Sequence, residues 1–266
     1  MPTWKQCTKE LLPHSVDTGG FSRFFNGDIM PKHCCDKPDC QICVTYPSSI
    51  FAELYHDEKT IISDHKSYLA FKTGEIVFHE GSYPNGLYCV NSGKIKVSKY
   101  GPEGREQIVR FAKAGDVLGY RALLCGEAYS ASATTLSDAH ICFIPREIFT
   151  AALQKSPALS LKFIQLLSHD LQTAETRMVK LAQKSVRERL AETLLMLRNT
   201  FGITNDGLLD VQLSREEIAN IVGTATESVI RQLADFKKAG LVDLRGKHIA
   251  ILDEHRLADE ANLEEI

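Results

Sequence analysis

The stretch that most constrains the fold is residues 211–252, VQLSREEIANIVGTATESVIRQLADFKKAGLVDLRGKHIAIL. Ser214-Arg215-Glu216-Glu217 has the S-x-x-E form of a capping box, in which a hydroxyl and a carboxylate satisfy two of the free amides at a helix start. A helix is therefore predicted from Ser214, with Ile218 and Val222 on one face. Gly223 follows and can supply the positive φ of a tight turn. Thr224-Ala225-Thr226-Glu227 reads as a second capping box and opens a second helix. Val229, Leu233 and Phe236 are its apolar face and Gly240 its C′ stop. Leu241–Leu244 and His248–Leu252 then read as two short strands, with Arg245-Gly246-Lys247 at the bend.

Two helices around a short turn, followed by a hairpin, make a winged helix-turn-helix. An α-helix fits the major groove of B-DNA, and the side chains of its first turns reach the base edges. Here those are Thr226, Glu227, Ile230 and Arg231. Arginine can donate two hydrogen bonds to guanine, and a carboxylate can accept one from cytosine N4. On the spacing alone, Glu227 can equally be just a capping partner and Arg231 a solvated charge on an ordinary helical hairpin. Glu227-Ser228-Val229-Ile230-Arg231 resembles the E-[ST]-[VI]-x-R of the recognition helix in the Crp/Fnr family of bacterial transcription regulators. FKKAGLV and GKHIAIL are similar to that family's helix end and wing. The resemblance implies that Glu227 and Arg231 read a G·C pair in a TGA-like half-site and that Thr226 and Ile230 tune the outer bases. Ser214, Thr224, Ser228 and Lys247 complete the expected contact surface to double-stranded DNA with a palindromic site. RNA polymerase is a further partner that the resemblance implies.

At 266 residues the chain suits two modest domains. Its net charge of −3 excludes a protein that binds nucleic acid by bulk charge, but not one with a localised reading head. No apolar run approaches a membrane span, and MPTWKQCTKELLPHS has no signal-peptide core, so a cytoplasmic protein with reduced thiols is expected. No Ser/His/Asp triad, P-loop or dinucleotide-binding glycine fingerprint occurs in order, which argues against an enzyme.

From Ala70 to Pro145, glycines recur between short runs such as EIVFHEG, GLYCVNSG, KIKVSKY and QIVRFA, the pattern of an all-β roll. The order of these runs resembles a cyclic-nucleotide-binding β-roll, again as in Crp/Fnr proteins. Nucleotide binders of that type carry a G-E-[LI] turn for the ribose and R-[ST]-A for the phosphate. This chain reads Gly119-Tyr120-Arg121 and Tyr129-Ser130-Ala131 instead. A buried phosphate needs a cation or a cradle of N–H groups, so cyclic AMP is not expected as the effector. Another small molecule remains an alternative signal, with the DNA head then secondary.

Four of the eight cysteines, Cys34, Cys35, Cys40 and Cys43, fall in the stretch CCDKPDCQIC, which reads as a loop outside any core. Cys40-x2-Cys43 has a spacing that lets two thiolates meet one metal, with Cys34 or Cys35 as a third ligand. Soft thiolates suit iron–sulfur centres and zinc. A thiol–disulfide pair and cysteines without a role are the other readings. The oxygen-sensing branch of the family holds an iron–sulfur cluster on three N-terminal cysteines and one before an I-P dipeptide in the β-domain. Cys142-Phe143-Ile144-Pro145 is similar to the last of these. The N-terminal spacing departs from the branch's C-x2-C-x5-C. Cys89 reads as a packed strand residue.

Ile164, Leu167, Leu171, Ala174, Met178 and Leu181 are spaced 3, 4, 3, 4 and 3 apart, a heptad seam suited to pairing with a second copy. A helix packed on its own roll is the simpler alternative. SVRERLAETLLMLRNTFG predicts an amphipathic helix ending at Gly202, DGLLDVQL a turn with a small strand, and DEHRLADEANLEEI an acidic tail. The expected architecture is α+β. It has a cysteine-bearing arm (1–49), a double-stranded β-roll (50–155), a long dimerisation helix (156–184) and a winged helix-turn-helix (185–266).

Overall fold

Short alternating strands between glycine turns can bury one face each only by closing into a roll, and they do so here. The computed structural model describes residues 39, 40, 43, 49–52 and 54–262. Cys34, Cys35 and the first part of the expected arm lie outside them. Helix α1 (His56–His65) leads into β1 (Ser67–Phe71), β2 (Ile76–Phe78), β3 (Gly86–Ser92), β4 (Ile95–Tyr100), β5 (Glu106–Ala112) and β6 (Val117–Leu118). The short α2 (Tyr120–Cys125) precedes β7 (Ser132–Thr135) and β8 (Ala139–Pro145), and α3 (Arg146–Lys155) follows. The strands form two antiparallel four-stranded sheets, ordered β1-β8-β3-β6 and β2-β7-β4-β5. Val90, Ile95, Leu118, Ala133 and Ile141 fill the space between them.

Helix α4 (Pro157–Gln183) is 27 residues long, capped by Ser156 with proline in its first turn. Its N-terminal turns bury Leu159 and Phe163 beside Phe51 and Phe149, and the Phe149 and Phe163 rings lie edge to face at 5.1 Å. Further along, its apolar side faces solvent. Ile164 is 58% exposed, Leu171 61%, Met178 64% and Leu181 50%, while Ala174 is exposed and Leu167 half-buried.

The C-terminal part is α5 (Val186–Phe201), α6 (Arg215–Val222), α7 (Thr226–Lys238), β9 (Val242–Arg245), β10 (His248–Ile251) and α8 (Glu254–Glu260). Leu190, Leu194, Ile218, Val229, Leu233 and Phe236 make its core. The expected acidic tail is in part helix α8. Its Leu257 and the following Ala261 are wholly buried, and Arg187 of α5 holds Glu260 at 2.5 Å. Leu257 and Ala261, four residues apart in a charged stretch, make only one repeat of the helical period, and tertiary contact with α5 supplies what periodicity lacks. The small strand expected after Gly202 is reduced to the bridge pairs Ile203–Leu209 and Leu208–Ala250.

The β4–β5 hairpin rests on α6. Lys96 Nζ donates to Glu106 at 3.0 Å and to Glu217 at 3.1 Å, and Lys94 pairs with Asp210 at 2.6 Å. Burial pushes the Glu217 carboxyl up, but the Ser214 amide and the Lys96 ammonium outweigh it and hold its pKa below the usual value.

Candidate DNA interface, effector position and thiol pocket

Ser214 caps α6 through the expected box, its Oγ accepting from the Glu217 amide at 3.0 Å and its amide donating to Glu217 at 2.9 Å. The second box does not form. The cap of α7 is Ala225, without a side-chain cap bond, and helix begins at Thr226. The reason lies in the turn. Gly223 is left-handed at φ 72°, and the Thr224 amide donates back to the Ala219 carbonyl at 3.2 Å, so Thr224 closes α6 instead of opening α7. Glu227 is thereby released from capping. It is exposed, as are Ile230 and Arg231, while Thr226 and Ser228 are half-buried. Neither Glu227 nor Arg231 makes a hydrogen bond or ion pair among the described residues, whereas Val229, Leu233 and Phe236 on the opposite face are sealed in the core. Helix α7 ends as a Schellman motif: Gly240 N–H donates to the Lys237 carbonyl and Leu241 N–H to Phe236, each at 3.0 Å. In the wing, Arg245 and His248 pair across a two-residue turn that exposes Lys247. Sequence reading missed Arg215, which donates to the Gly246 carbonyl at 2.8 Å and ties the start of α6 to the wing.

At the two nucleotide positions the roll is filled by its own side chains. Tyr129 is 6% exposed and its ring stacks on Phe78 at 4.1 Å. Burial raises its phenol pKa, and its oxygen has no hydrogen-bond partner among the described residues. Tyr120 is buried, accepts from Arg110 Nη1 at 2.6 Å and donates to Asp170 of α4, which Arg121 also holds at 2.9 Å. The turn thus reaches the long helix through Tyr120 and Arg121.

Cys40, Cys43, Cys89 and Cys142 line one pocket with Lys66, among apolar neighbours that include Phe51, Leu54, Ile62 and Ile144. Cys40, expected in a loop outside any core, is 8% exposed, and its amide donates to Ser63 Oγ at 3.2 Å. A thiol packs as a small apolar group, and α1 supplies the polar partner its backbone needs. Cys89 reads in the sequence as strand packing only, yet it faces Cys142 directly across β3 and β8. Burial pushes the Cys89 thiol well up, and Cys142 adds to the shift. Burial alone would lower the Lys66 ammonium, but the hydrogen bond to Cys40 and the sulfurs of Cys142, Cys40 and Cys43 hold it above its ordinary value. Among the described residues no disulfide joins these sulfurs, and no three potential ligands are grouped to hold a metal ion. The four sulfurs line the wall of one pocket, and soft thiolate donors of this kind suit iron–sulfur centres and zinc.

Comparisons with known proteins agree with this architecture. Residues 68–156 match the family model described as the cyclic nucleotide-binding domain, and residues 188–260 match the Crp-like helix-turn-helix domain. The CRP-like cAMP-activated global transcriptional regulator of Mycobacterium tuberculosis is 32% identical over 193 residues, 72% of this chain and 86% of that one. Electron transport regulator A of Shewanella oneidensis is 30% identical, covering 85% and 88%. The fumarate and nitrate reduction regulatory protein of Escherichia coli is 29% identical, covering 86% and 90%. Among solved structures, FixK2 from Bradyrhizobium japonicum superposes with a TM-score of 0.66 at 24% identity over 76% of this chain and 98% of that one. A helix-turn-helix with its outer face free, a double-sheet roll and a long helix between them, together with relatives of this similarity and coverage, show that the chain belongs to the Crp/Fnr family of DNA-binding transcription regulators.

Proposed function

We propose that the protein is a homodimeric regulator that binds palindromic DNA through Thr226, Glu227, Ser228, Ile230 and Arg231, and answers a redox, oxygen or nitric-oxide signal at its thiol pocket. The observation that carries the DNA reading is the pair Glu227 and Arg231, exposed and uncommitted on the first turns of a helix whose other face is sealed. Ser214, Thr224 and Lys247 flank that surface, and Lys247 suits a phosphate. Pairing along Ile164, Leu167, Leu171, Ala174, Met178 and Leu181 would cover the apolar side of α4. It would also present two reading helices about one DNA turn, roughly 34 Å, apart. RNA polymerase is the further partner that the family resemblance implies.

The thiol reading rests on Cys40, Cys43 and Cys142 sharing a pocket, with Cys34 or Cys35 outside the described residues as a further ligand. When bound, an iron–sulfur cluster would supply a centre that oxidants dismantle. Cys40 belongs to the same buried cluster as Leu159 and Phe163 of α4. A change at the thiols therefore meets the root of the long helix, and a shift of that helix re-places the two DNA heads. Anaerobic purification with iron analysis and visible absorption tests this, with DNA binding measured with and without air. Colourless, iron-free protein whose affinity ignores air would overturn the signal reading and leave the DNA reading standing.

Tyr120 and Tyr129 stand against cyclic AMP in this role. Calorimetric titration with cyclic AMP at millimolar concentration is expected to give no binding heat and no change in DNA affinity. Saturable binding with a rise in DNA affinity would reverse that assignment and favour the small-molecule alternative.

A further inference from the structure

Lys66 joins α1 to β1 and is only 4% exposed. Its Nζ donates to Cys40 Sγ at 3.0 Å, and among the described residues no carboxylate pairs with it. An ammonium has three protons to donate, and burying one without a negative partner is strongly unfavourable. The groups around it are the sulfurs of one pocket. On the rim, Asn91 Nδ2 donates to Cys43 Sγ at 3.2 Å while its Oδ1 accepts from Tyr68 O–H at 3.1 Å, which fixes the amide's direction. Two N–H···S contacts, one of them charged, thus point at two of the thiols, and the rest of the lining is apolar apart from Ser49 and a second lysine, Lys59.

We propose that Lys66 is the counter-charge of the thiol pocket, stabilising an anionic thiolate-bound group on Cys40 and Cys43 and raising its reduction potential. This rests on the cluster reading above. A cluster bound by several thiolates carries net negative charge, and its potential follows that charge and the hydrogen bonds to its sulfurs. A fixed cation 3.0 Å from one ligand sulfur favours the more negative, reduced form. Lys66 acts through the thiols and is a positioning residue in this sense, not a ligand.

The test uses the full chain as wild type, Lys66→Met and Lys66→Arg, each reconstituted anaerobically with iron and sulfide. The readouts are iron and sulfide per chain, the visible spectrum, the midpoint potential by mediated titration and the rate of bleaching in air. Lys66→Met is expected to lower the midpoint potential and bleach faster, and Lys66→Arg to return both toward wild type. In metal-free protein, Lys66→Met loses the hydrogen bond to Cys40, so the thermal midpoint is expected to fall. A lysine that serves only packing would give the same fall and leave the potential alone. Should Lys66→Met fail to fold, Lys66→Gln carries the same measurement. Equal potentials and bleaching rates in wild type and the neutral variant overturn the proposal while the cluster reading stands. A wild-type chain that takes up no iron removes both, and the two failures are separate readings of one experiment.

Discussion

Arg231→Ala is expected to weaken binding to the preferred DNA site by about 1–3 kcal/mol, roughly 5- to 150-fold, and to relax base preference at one position of each half-site. The size follows from losing a guanidinium that can donate two parallel hydrogen bonds to guanine. Glu227→Ala is expected to act at the same base pair, since the two side chains lie one helical turn apart on the exposed face of α7 and a carboxylate accepts from the paired cytosine. Neither change should move the thermal midpoint appreciably, because both side chains are exposed and uncommitted. Lys247→Ala provides the contrast. Taking the wing's ammonium away from a phosphate lowers affinity for all sequences alike and reduces the salt dependence by about one counterion. Selection of bound sequences from random DNA, followed by titration of the variants at two salt concentrations, makes the measurement. Unchanged sequence preference in Arg231→Ala would remove α7 from the role of reading helix.

The second large effect is expected from Leu171→Glu combined with Met178→Glu. In one chain these residues are 61% and 64% exposed, so the monomer loses little packing. In a pair of α4 helices they would be seam residues, and carboxylates there face their own copies without water or cations to offset them. Sedimentation is expected to change from dimer to monomer. Affinity for a palindromic site should fall about 10²–10⁴-fold, the gain from making the second half-site contact intramolecular. Binding to an isolated half-site should be nearly unchanged. A wild-type chain that sediments as a monomer, or a variant that stays dimeric, places the interface elsewhere.

Local chemistry makes part of this molecule legible in the sequence. The capping box expected at Ser214 forms because every group it needs lies within four residues. The same rule fails at Thr224, where the backbone amide is already taken by Ala219 of the preceding helix and the cap moves to Ala225. Apolar period reveals α5 and α7 but not α8, whose burial depends on Leu257 and Ala261 meeting α5. The nucleotide positions can be identified as changed, but not what Tyr120 and Tyr129 do instead. One reaches Asp170, fifty residues along the chain, and the other stacks on Phe78, which no spacing reveals.

By itself the sequence determined the periodic and short-range features: the roll's strands, the winged helix-turn-helix and the apolar stripe of α4. Those follow from which side chains can share a face and which amides a neighbouring side chain can reach. Only the tertiary structure decided that Glu227 and Arg231 are left without partners among the described residues, and that Cys40 is buried. It also brought Cys89 and Lys66 to the same pocket as Cys43 and Cys142. Burial and the meeting of groups from distant strands are consequences of how sheets and helices close on one another, and a linear pattern holds no distance between residues that many turns of chain separate.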